Sequence, residues 1–180
     1  DGPAVLDLLA DGEWHSGVTL GQTLDLSRAA IWKQVRVLRT LGLSIAADRG
    51  RGYCLAVPLD LLSEPAIRAA LRPPTLQALE ALDVLVVTTS TNERLTSRPA
   101  PPPGRISAAV AEYQTGGRGR RGRHWLSPLG HGICLSVSWC FELAPRDLPA
   151  LSLVAGVAVA MALADQGVES LLAVVFVGGL

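Results

Sequence analysis

The sequence predicts an α+β protein built from two parts of different character. Residues 3–72 contain helix patterns followed by two short strand patterns around glycines, whereas residues 83–180 alternate apolar strand patterns with helix patterns. The chain has 180 residues, 49% of them hydrophobic, which is enough for one or two small cores. We place the first domain at residues 1–62, a connecting helix and linker at 63–82, and the second domain at 83–180.

The first domain is predicted to contain three helices. Short apolar faces indicate helices at Val5–Leu9 and Thr19–Leu24. Ser27 is a good N-cap for a third helix because its hydroxyl can accept from a free backbone N–H, and Gly42 ends that helix. The apolar residues of the third helix lie four and three apart, on one face: Ile31, Val35 and Leu38.

Two short strand patterns, at 43–46 and 53–57, flank a turn at 48–52 and predict a β-hairpin. Three helices and a hairpin form a winged helix-turn-helix, whose third helix fits the DNA major groove and whose wing can reach phosphates or the minor groove. Residues 28–51 hold six basic residues and one acidic residue. The predicted DNA-binding residues are Ser27, Arg28, Trp32, Lys33, Arg36, Arg49 and Arg51. The alternative is a small helical domain whose charges only face water, but the basic residues fall on the two elements that would carry DNA contacts.

The second domain is predicted from strand patterns with helices between them. Strands are predicted at Val84–Val87, Ile106–Tyr113, Ile133–Phe141 and Leu172–Val177, and a helix at Leu148–Ala164. Before them, a connecting helix is predicted at Leu61–Leu71, with Ser63 as its cap. The segment Arg72-Pro73-Pro74 is expected to end that helix.

The segment at 114–125 lies between two strand patterns and packs four arginines into residues 118–123, with glycines between them and no acid. Arginine offers a fixed charged fork for phosphate or carboxylate, and glycine lets the backbone approach a ligand closely. We interpret the segment as an anion-binding loop. The alternative is a flexible segment that binds nucleic acid through charge alone, but the tract is short and has apolar segments on both sides.

Three groups of residues resemble the biotin protein ligases. They are Ser90-Thr91-Asn92, Ala111-Glu112-Tyr113-Gln114, and the loop Gly117–Arg123 with Trp125 and Ser127-Pro128. The segments at 27–31 and 50–53 resemble the bifunctional bacterial type, the biotin operon repressor. The resemblance implies that a mixed-sheet catalytic domain, similar to class II synthetases, follows the winged helix. Taken alone, Ser90-Thr91-Asn92 would be a plain helix cap.

The resemblance also implies the chemistry. Biotin's carboxylate attacks the α-phosphate of ATP, with Mg²⁺ expected, and gives biotinyl-5′-AMP and pyrophosphate. A lysine of a biotin carboxyl carrier protein then takes the biotin. The adenylate is also the corepressor, which promotes homodimer formation and binding to operator DNA.

Site residues follow from the same resemblance. Biotin contacts are expected from Ser90, Thr91, Asn92, Gln114, Arg118, Gly119 and Arg120. Catalytic roles are expected for Arg118, Arg120 and Arg121, and nucleotide contacts for Arg121, Arg123 and Trp125. The arginines suit a reaction that brings a carboxylate to a triphosphate, since two anions must approach each other. Trp125 fits core packing as well as a place beside the adenine.

The sequence departs from the family pattern after Gly167. A lysine-tryptophan-proline-asparagine-aspartate motif, a later lysine that contacts the ligand and a C-terminal β-barrel have no counterpart, and Lys33 is the only lysine. We therefore expect an incomplete catalytic domain with little or no ATP–pyrophosphate exchange by itself. An alternative function is a DNA-binding regulator that senses biotin or biotinyl-adenylate without catalysis, and another is a nucleic-acid binder that uses the arginine loop directly.

Cysteine content and hydropathy bear on location. Three cysteines without paired metal spacing argue against a disulfide framework and against a metal site, and they favour a reducing cytoplasm. No basic-then-apolar signal segment opens the sequence. The most apolar run, 150–164, is too short for a membrane span and is expected to be a buried helix.

Overall fold

The computed structural model describes residues 3–117, 127–140 and 150–168. One compact unit runs to Cys140, and the helix that begins at Ala150 belongs to a second unit, which is described by itself. The helices are α1 Val5–Leu9, α2 Gly17–Leu24, α3 Arg28–Thr40, α4 Glu64–Ala70, α5 Pro73–Ala78, α6 Thr91–Thr96 and α7 Ala150–Asp165. The strands are β1 Ile45–Asp48, β2 Gly52–Leu55, β3 Leu79–Thr88, β4 Ile106–Gln114 and β5 Cys134–Trp139. The predicted α+β class is confirmed.

The three N-terminal helices form around the apolar faces that the sequence indicates. Ser27 caps α3 by accepting a hydrogen bond from Ala30 N at 3.2 Å, as predicted. The apolar faces of the three helices meet in one core, with these residues fully buried: Val5, Leu6, Leu9, Leu20, Ile31, Val35 and Leu38. Each such side chain contributes about 1.5–3 kcal/mol through removal from water. The core therefore fixes α3 and leaves its polar face exposed.

The predicted hairpin is confirmed as strands β1 and β2, which pair antiparallel. Asp48 shapes the turn because its Oδ1 accepts hydrogen bonds from Gly50 N and Arg51 N, and these bonds hold the pKa of Asp48 below its usual range. His15 adds an antiparallel bridge to Tyr53, each residue's N–H donating to the other's carbonyl. The wing is thereby tied to the segment between α1 and α2.

The second sheet has the order β3-β4-β5 and is mixed. Strands β3 and β4 are parallel, whereas β4 and β5 are antiparallel. Parallel neighbours need a crossover between them, and α6 lies in that connection. Because parallel strands end at the same edge, the carboxyl ends of β3 and β4 meet there, with Thr88 opposite Gln114.

The segment at 72–74 follows the end of α4 at Ala70, as predicted. Pro73 and Pro74 also begin a further helix, α5, because proline lacks the N–H that a first helical turn leaves unbonded. The predicted start of the next strand is wrong, since β3 begins at Leu79 instead of Val84. Its early residues pair with β4, and Arg105 bonds both the Glu80 carboxylate and the Leu79 carbonyl, so tertiary pairing overrides a polar local sequence.

Helix α6 is fixed to the sheet by an ion-pair cluster. The Asp83 carboxylate on β3 receives hydrogen bonds from Arg94 Nε and Arg98 Nη2, each at 2.7 Å. Burial raises the pKa of Asp83, but the bonds from the two arginines outweigh that effect and leave the pKa lowered. The cluster therefore orients the helix that begins with Thr91.

Helix α7, which is described from Ala150 onwards, confirms the helix predicted over 148–164. The prediction that this helix is buried is wrong: its side chains are almost entirely apolar, yet none of them is buried, and Leu153 is 74% exposed. In the described parts of the chain, no helix combines the length and hydropathy that a membrane crossing requires. The strand predicted at 172–177 lies outside the described residues.

Candidate functional site

The two sequence segments that suggested a ligand site converge in the structure. Thr115 N donates to Thr88 O at 2.9 Å, and Gly116 N donates to Thr89 O at 2.8 Å. The chain that leaves β4 therefore runs beside the chain that leaves β3, directly before Ser90. A side chain at position 116 would lie 3.1 Å from Thr89 O, so glycine permits this close approach. The start of the arginine loop and Ser90-Thr91-Asn92 thus share one edge of the sheet.

Thr91 and Gln114 form the centre of this edge. Thr91 is 3% exposed, and Gln114 Oε1 accepts from both Thr91 N at 2.7 Å and Thr91 Oγ1 at 3.1 Å. Thr91 Oγ1 also lies 2.8 Å from Ser136 Oγ. Since a threonine hydroxyl has a single proton, which goes to Gln114, Ser136 donates to Thr91. The network fixes the orientation of the Gln114 carboxamide.

Cys134 and Ser127 extend this group, which we call the polar cluster: Thr91, Gln114, Ser127, Cys134 and Ser136. Burial raises the pKa of the Cys134 thiol, and hydrogen bonds from Ser127 and Gln114 offset only part of that rise. A thiol that stays protonated is a weak nucleophile. Cys134 therefore serves to pack and to bond its neighbours.

The flanking residues of the predicted biotin segment have different environments. Ser90 Oγ accepts from Glu93 N at 3.3 Å and caps α6, which leaves its own O–H as a donor. Asn92 is exposed on the first turn of α6. The structure thus combines the cap interpretation of this segment with a set of polar groups at the sheet edge.

The arginine loop itself lies outside the described residues. This applies to all six predicted site residues in it: Arg118, Gly119, Arg120, Arg121, Arg123 and Trp125. Gly117, the residue before the loop, is described and buried. In the described ranges, no group of three histidine, cysteine, aspartate or glutamate residues is placed to hold a metal ion.

The predicted DNA-binding residues lie on α3 and the wing. Arg28 and Lys33 are exposed on α3, and the Arg36 guanidinium lies over the Trp32 ring, 4.7 Å from its centroid. Trp32 is itself 51% exposed. Ser27 is occupied as the cap of α3.

The wing has a similar stacked pair. The Arg51 guanidinium lies over the Trp14 ring, 4.0 Å from its centroid, and Arg49 is exposed in the turn. Such cation–π contacts hold a guanidinium in place while its outer N–H groups remain able to bond. Arg39, by contrast, uses its guanidinium within the domain, because its Nε and Nη2 donate to Ile45 O at 3.1 and 2.6 Å. Arg39 therefore joins α3 to the wing.

Sequence reasoning missed several members of the site. Ser136 and Cys134 alternate with exposed Leu135 and Val137 along β5, a period of two that could have marked an inward polar face. Trp14 gave no sequence signal, because its partner Arg51 is distant along the chain.

The arrangement defines a winged helix-turn-helix domain joined to a synthetase-like domain with a polar site at a sheet edge. Residues 4–54 match the profile of an HTH domain, and residues 84–177 match that of the biotin/lipoate A/B protein ligase family. The chain belongs to this ligase family.

Most of this chain is similar to curated proteins named as bifunctional ligase/repressors. The chain is 40% identical over 168 residues to the bifunctional ligase/repressor BirA of Salmonella typhimurium and, over the same length, to that of Escherichia coli. It is 36% identical over 161 residues to BirA of Bacillus subtilis. The matches cover 92%, 92% and 89% of this chain and 49%, 49% and 47% of the relatives. The chain thus spans about half the length of the curated relatives it matches.

Proposed function

We propose that this chain is part of an ATP-dependent biotin protein ligase that also acts as a biotin-responsive transcriptional repressor. The observation that carries the proposal is the convergence of Ser90-Thr91-Asn92 with Gln114 and the start of the arginine loop. A small polar head such as the ureido group of biotin needs donors and acceptors at fixed positions, because unpaired polar groups are costly when buried. The hydrogen bonds of the polar cluster hold the Gln114 carboxamide in one orientation, which supports this proposal.

We assign the biotin contacts to the polar cluster and the contacts with the phosphates and the nucleotide to the arginine loop. In the first step, a biotin carboxylate oxygen bonds to the α-phosphorus of ATP, and the bond to the bridging oxygen breaks to release pyrophosphate. Arg118, Arg120 and Arg121 are proposed to neutralise these anions, with Arg123 and Trp125 beside the nucleotide and Gly119 allowing close backbone approach. Mg²⁺ is proposed to accompany the ATP phosphates. In the second step, a carrier lysine amine attacks the acyl carbon, and AMP leaves.

On the biotin side, the proposed donors are the Ser90 hydroxyl, the Asn92 amide and the Gln114 carboxamide. Gln114 carries two N–H groups, and its oxygen is already held by Thr91. One N–H interacts with Cys134, so the second can serve the ligand. Thr91 is proposed to act mainly by fixing Gln114, with any direct biotin contact made through its remaining lone pair.

The ligase proposal is tested on the longer protein of which this chain is proposed to be part, by biotin-dependent exchange of labelled pyrophosphate into ATP, followed by transfer of biotin to a carboxyl carrier protein. The family includes enzymes named for lipoate as well as biotin. We therefore expect exchange with biotin and none with lipoate. Biotin binding without exchange would favour the alternative of a regulator that senses biotin without catalysis, and exchange with lipoate alone would contradict the assignment of substrate.

Thr91→Val is expected to lower biotin affinity about tenfold, because loss of the hydroxyl frees Gln114 to rotate and leaves the Ser136 donor without an acceptor. Thr91→Ser keeps the hydroxyl and should stay within about threefold of the wild type. Isothermal titration with biotin measures both. Equal affinities for the valine variant and the wild type would show that the Thr91–Gln114 pair does not orient the ligand.

The DNA half of the proposal rests on the exposed basic face of α3. Arg28→Ala and Lys33→Ala are each expected to weaken DNA binding about tenfold at low salt and to leave biotin affinity unchanged, since each removes a phosphate or base contact. A suitable probe is a duplex selected by the wild-type protein from a random-sequence library. Gel shifts at fixed salt give the affinities. Undiminished binding by both variants would remove α3 as the recognition helix.

A further inference from the structure

A buried carboxyl group joins the segment after the winged helix to the strand that carries Gln114. Glu112 on β4 is 5% exposed, and its Oε1 accepts a hydrogen bond from Leu62 N at 2.5 Å. In the described residues, Glu112 is the buried residue with an ionisable carboxyl group, and no ion pair accompanies it. Burying such a group is costly unless it is hydrogen-bonded, so the hydrogen bond from Leu62 N offsets part of the cost of burying Glu112.

The Leu62 segment is held at its other end by the winged-helix domain. Leu59 N donates to Ala10 O at 2.8 Å, at the end of α1. Leu59 and Leu61 pack against the same core as Leu129, which is fully buried just after the arginine loop. A side chain at Gly130 would lie 2.6 Å from Leu59, which shows how closely the two segments approach. The segment therefore contacts the winged helix on one side and the ligase domain on the other.

Glu112 is also close to the polar cluster. It lies two residues before Gln114 on the same strand, and its neighbour Ala111 pairs with Cys134. Its charge contributes, after burial, to the raised pKa of Cys134. Leu62 is thus connected to the end of β4, where Gln114 lies, by one hydrogen bond and two residues of the strand. A displacement of Leu62 is therefore expected to move Gln114.

We propose that Glu112 is a positioning residue that couples the winged-helix domain to the biotin site through its bond to Leu62 N. The inference rests on the proposed function, since it requires both a DNA surface and a biotin site. It adds a route between them within one chain. Because coupling between two binding sites is reciprocal, DNA bound at α3 changes biotin affinity by the same factor as biotin changes DNA affinity.

The test compares biotin affinity with and without a saturating amount of the selected duplex. The wild type should show a difference of at least about fivefold, in the usual range of coupling. Glu112→Leu removes the acceptor and should reduce that difference to less than twofold. Glu112→Gln keeps an acceptor oxygen and should retain the difference. Leu62→Pro removes the donor instead, so it should act as Glu112→Leu does while leaving the Glu112 side chain in place.

Leu79→Ala is the control for a merely structural role. It removes a buried side chain at the start of β3, at the opposite end of the sheet from Thr88 and Gln114, and should lower the melting temperature while retaining the coupling. Loss of coupling in Leu79→Ala to the same degree as in Glu112→Leu would overturn the inference, as would full coupling in both Glu112→Leu and Leu62→Pro. A wild type that binds biotin and DNA independently also overturns it. A wild type that binds no biotin contradicts the proposed function instead.

Discussion

Replacing Gly52 by alanine is expected to lower the free energy of unfolding of the winged-helix domain by about 3–5 kcal/mol, from backbone strain and overpacking together. Gly52 has φ +102°, a conformation that side chains rarely adopt, and it begins strand β2. An added Cβ would lie 2.6 Å from Ser16 Cα and would clash with the His15 carbonyl oxygen. Both neighbours are backbone atoms, so no side-chain rotation relieves the contact.

Gly42→Ala is the control that separates the cost of backbone strain from the cost of the steric clash. Gly42 has φ +98°, close to that of Gly52, but an added Cβ there has no atom within 4 Å. We expect Gly42→Ala to lower the free energy of unfolding by about 1 kcal/mol, which is the cost of the unfavourable backbone conformation alone. Urea denaturation of the two variants gives both values. A Gly52→Ala variant no less stable than Gly42→Ala would mean that the wing does not pack on residues 15 and 16.

The winged helix could be predicted from sequence because its signals are local. The cap at Ser27 and the spacing of Ile31, Val35 and Leu38 each act within a few residues, and each reappears in the structure. Contacts between residues that are far apart in the chain could not be predicted from the sequence. The stacking of Arg51 on Trp14, and the hydrogen bonds from Arg39 to Ile45, depend on how the hairpin packs.

The ligase domain shows the same limit more strongly. Strand β3 was predicted too short because Leu79–Asp83 contains two acids, whose carboxylates find arginine partners only in the folded chain. The pairing of Thr91 with Gln114 spans 23 residues and exists because β3 and β4 are parallel neighbours. Sequence resemblance marked both residues as ligand contacts, but it did not indicate that they bond to each other.

Glu112 illustrates a residue that sequence resemblance included without a role. It lies within the segment 111–114 that resembles the ligases, yet the reason for a carboxyl group there was not visible. The structure supplies a partner fifty residues earlier, Leu62 N. A polar residue within an otherwise apolar strand is a signal for such a partner, because buried polar groups are nearly always bonded.

Arg118→Ala is expected to weaken binding of a non-hydrolysable biotinyl-adenylate analogue about 100-fold, which corresponds to the loss of about 2–3 kcal/mol from charged hydrogen bonds. Arg118 directly follows Gly117, and the residues before it are bonded beside Thr88 and Thr89. This places the beginning of the loop at the edge where Thr91 and Gln114 meet. Calorimetry gives the affinity, and a thermal melt gives the stability.

The matched control for this prediction is Arg72→Ala, which removes the same charge from an exposed position outside the proposed sites. Both variants should melt within about 2 °C of the wild type, since Arg72 is exposed, Arg118 is predicted to lie in an anion-binding loop, and surface charges contribute little to stability. Only Arg118→Ala should lose affinity for the analogue. A large fall in melting temperature with unchanged affinity would make Arg118 a structural residue. Equal losses of affinity in the two variants would mean that net charge, and not the placement of the loop, attracts the adenylate.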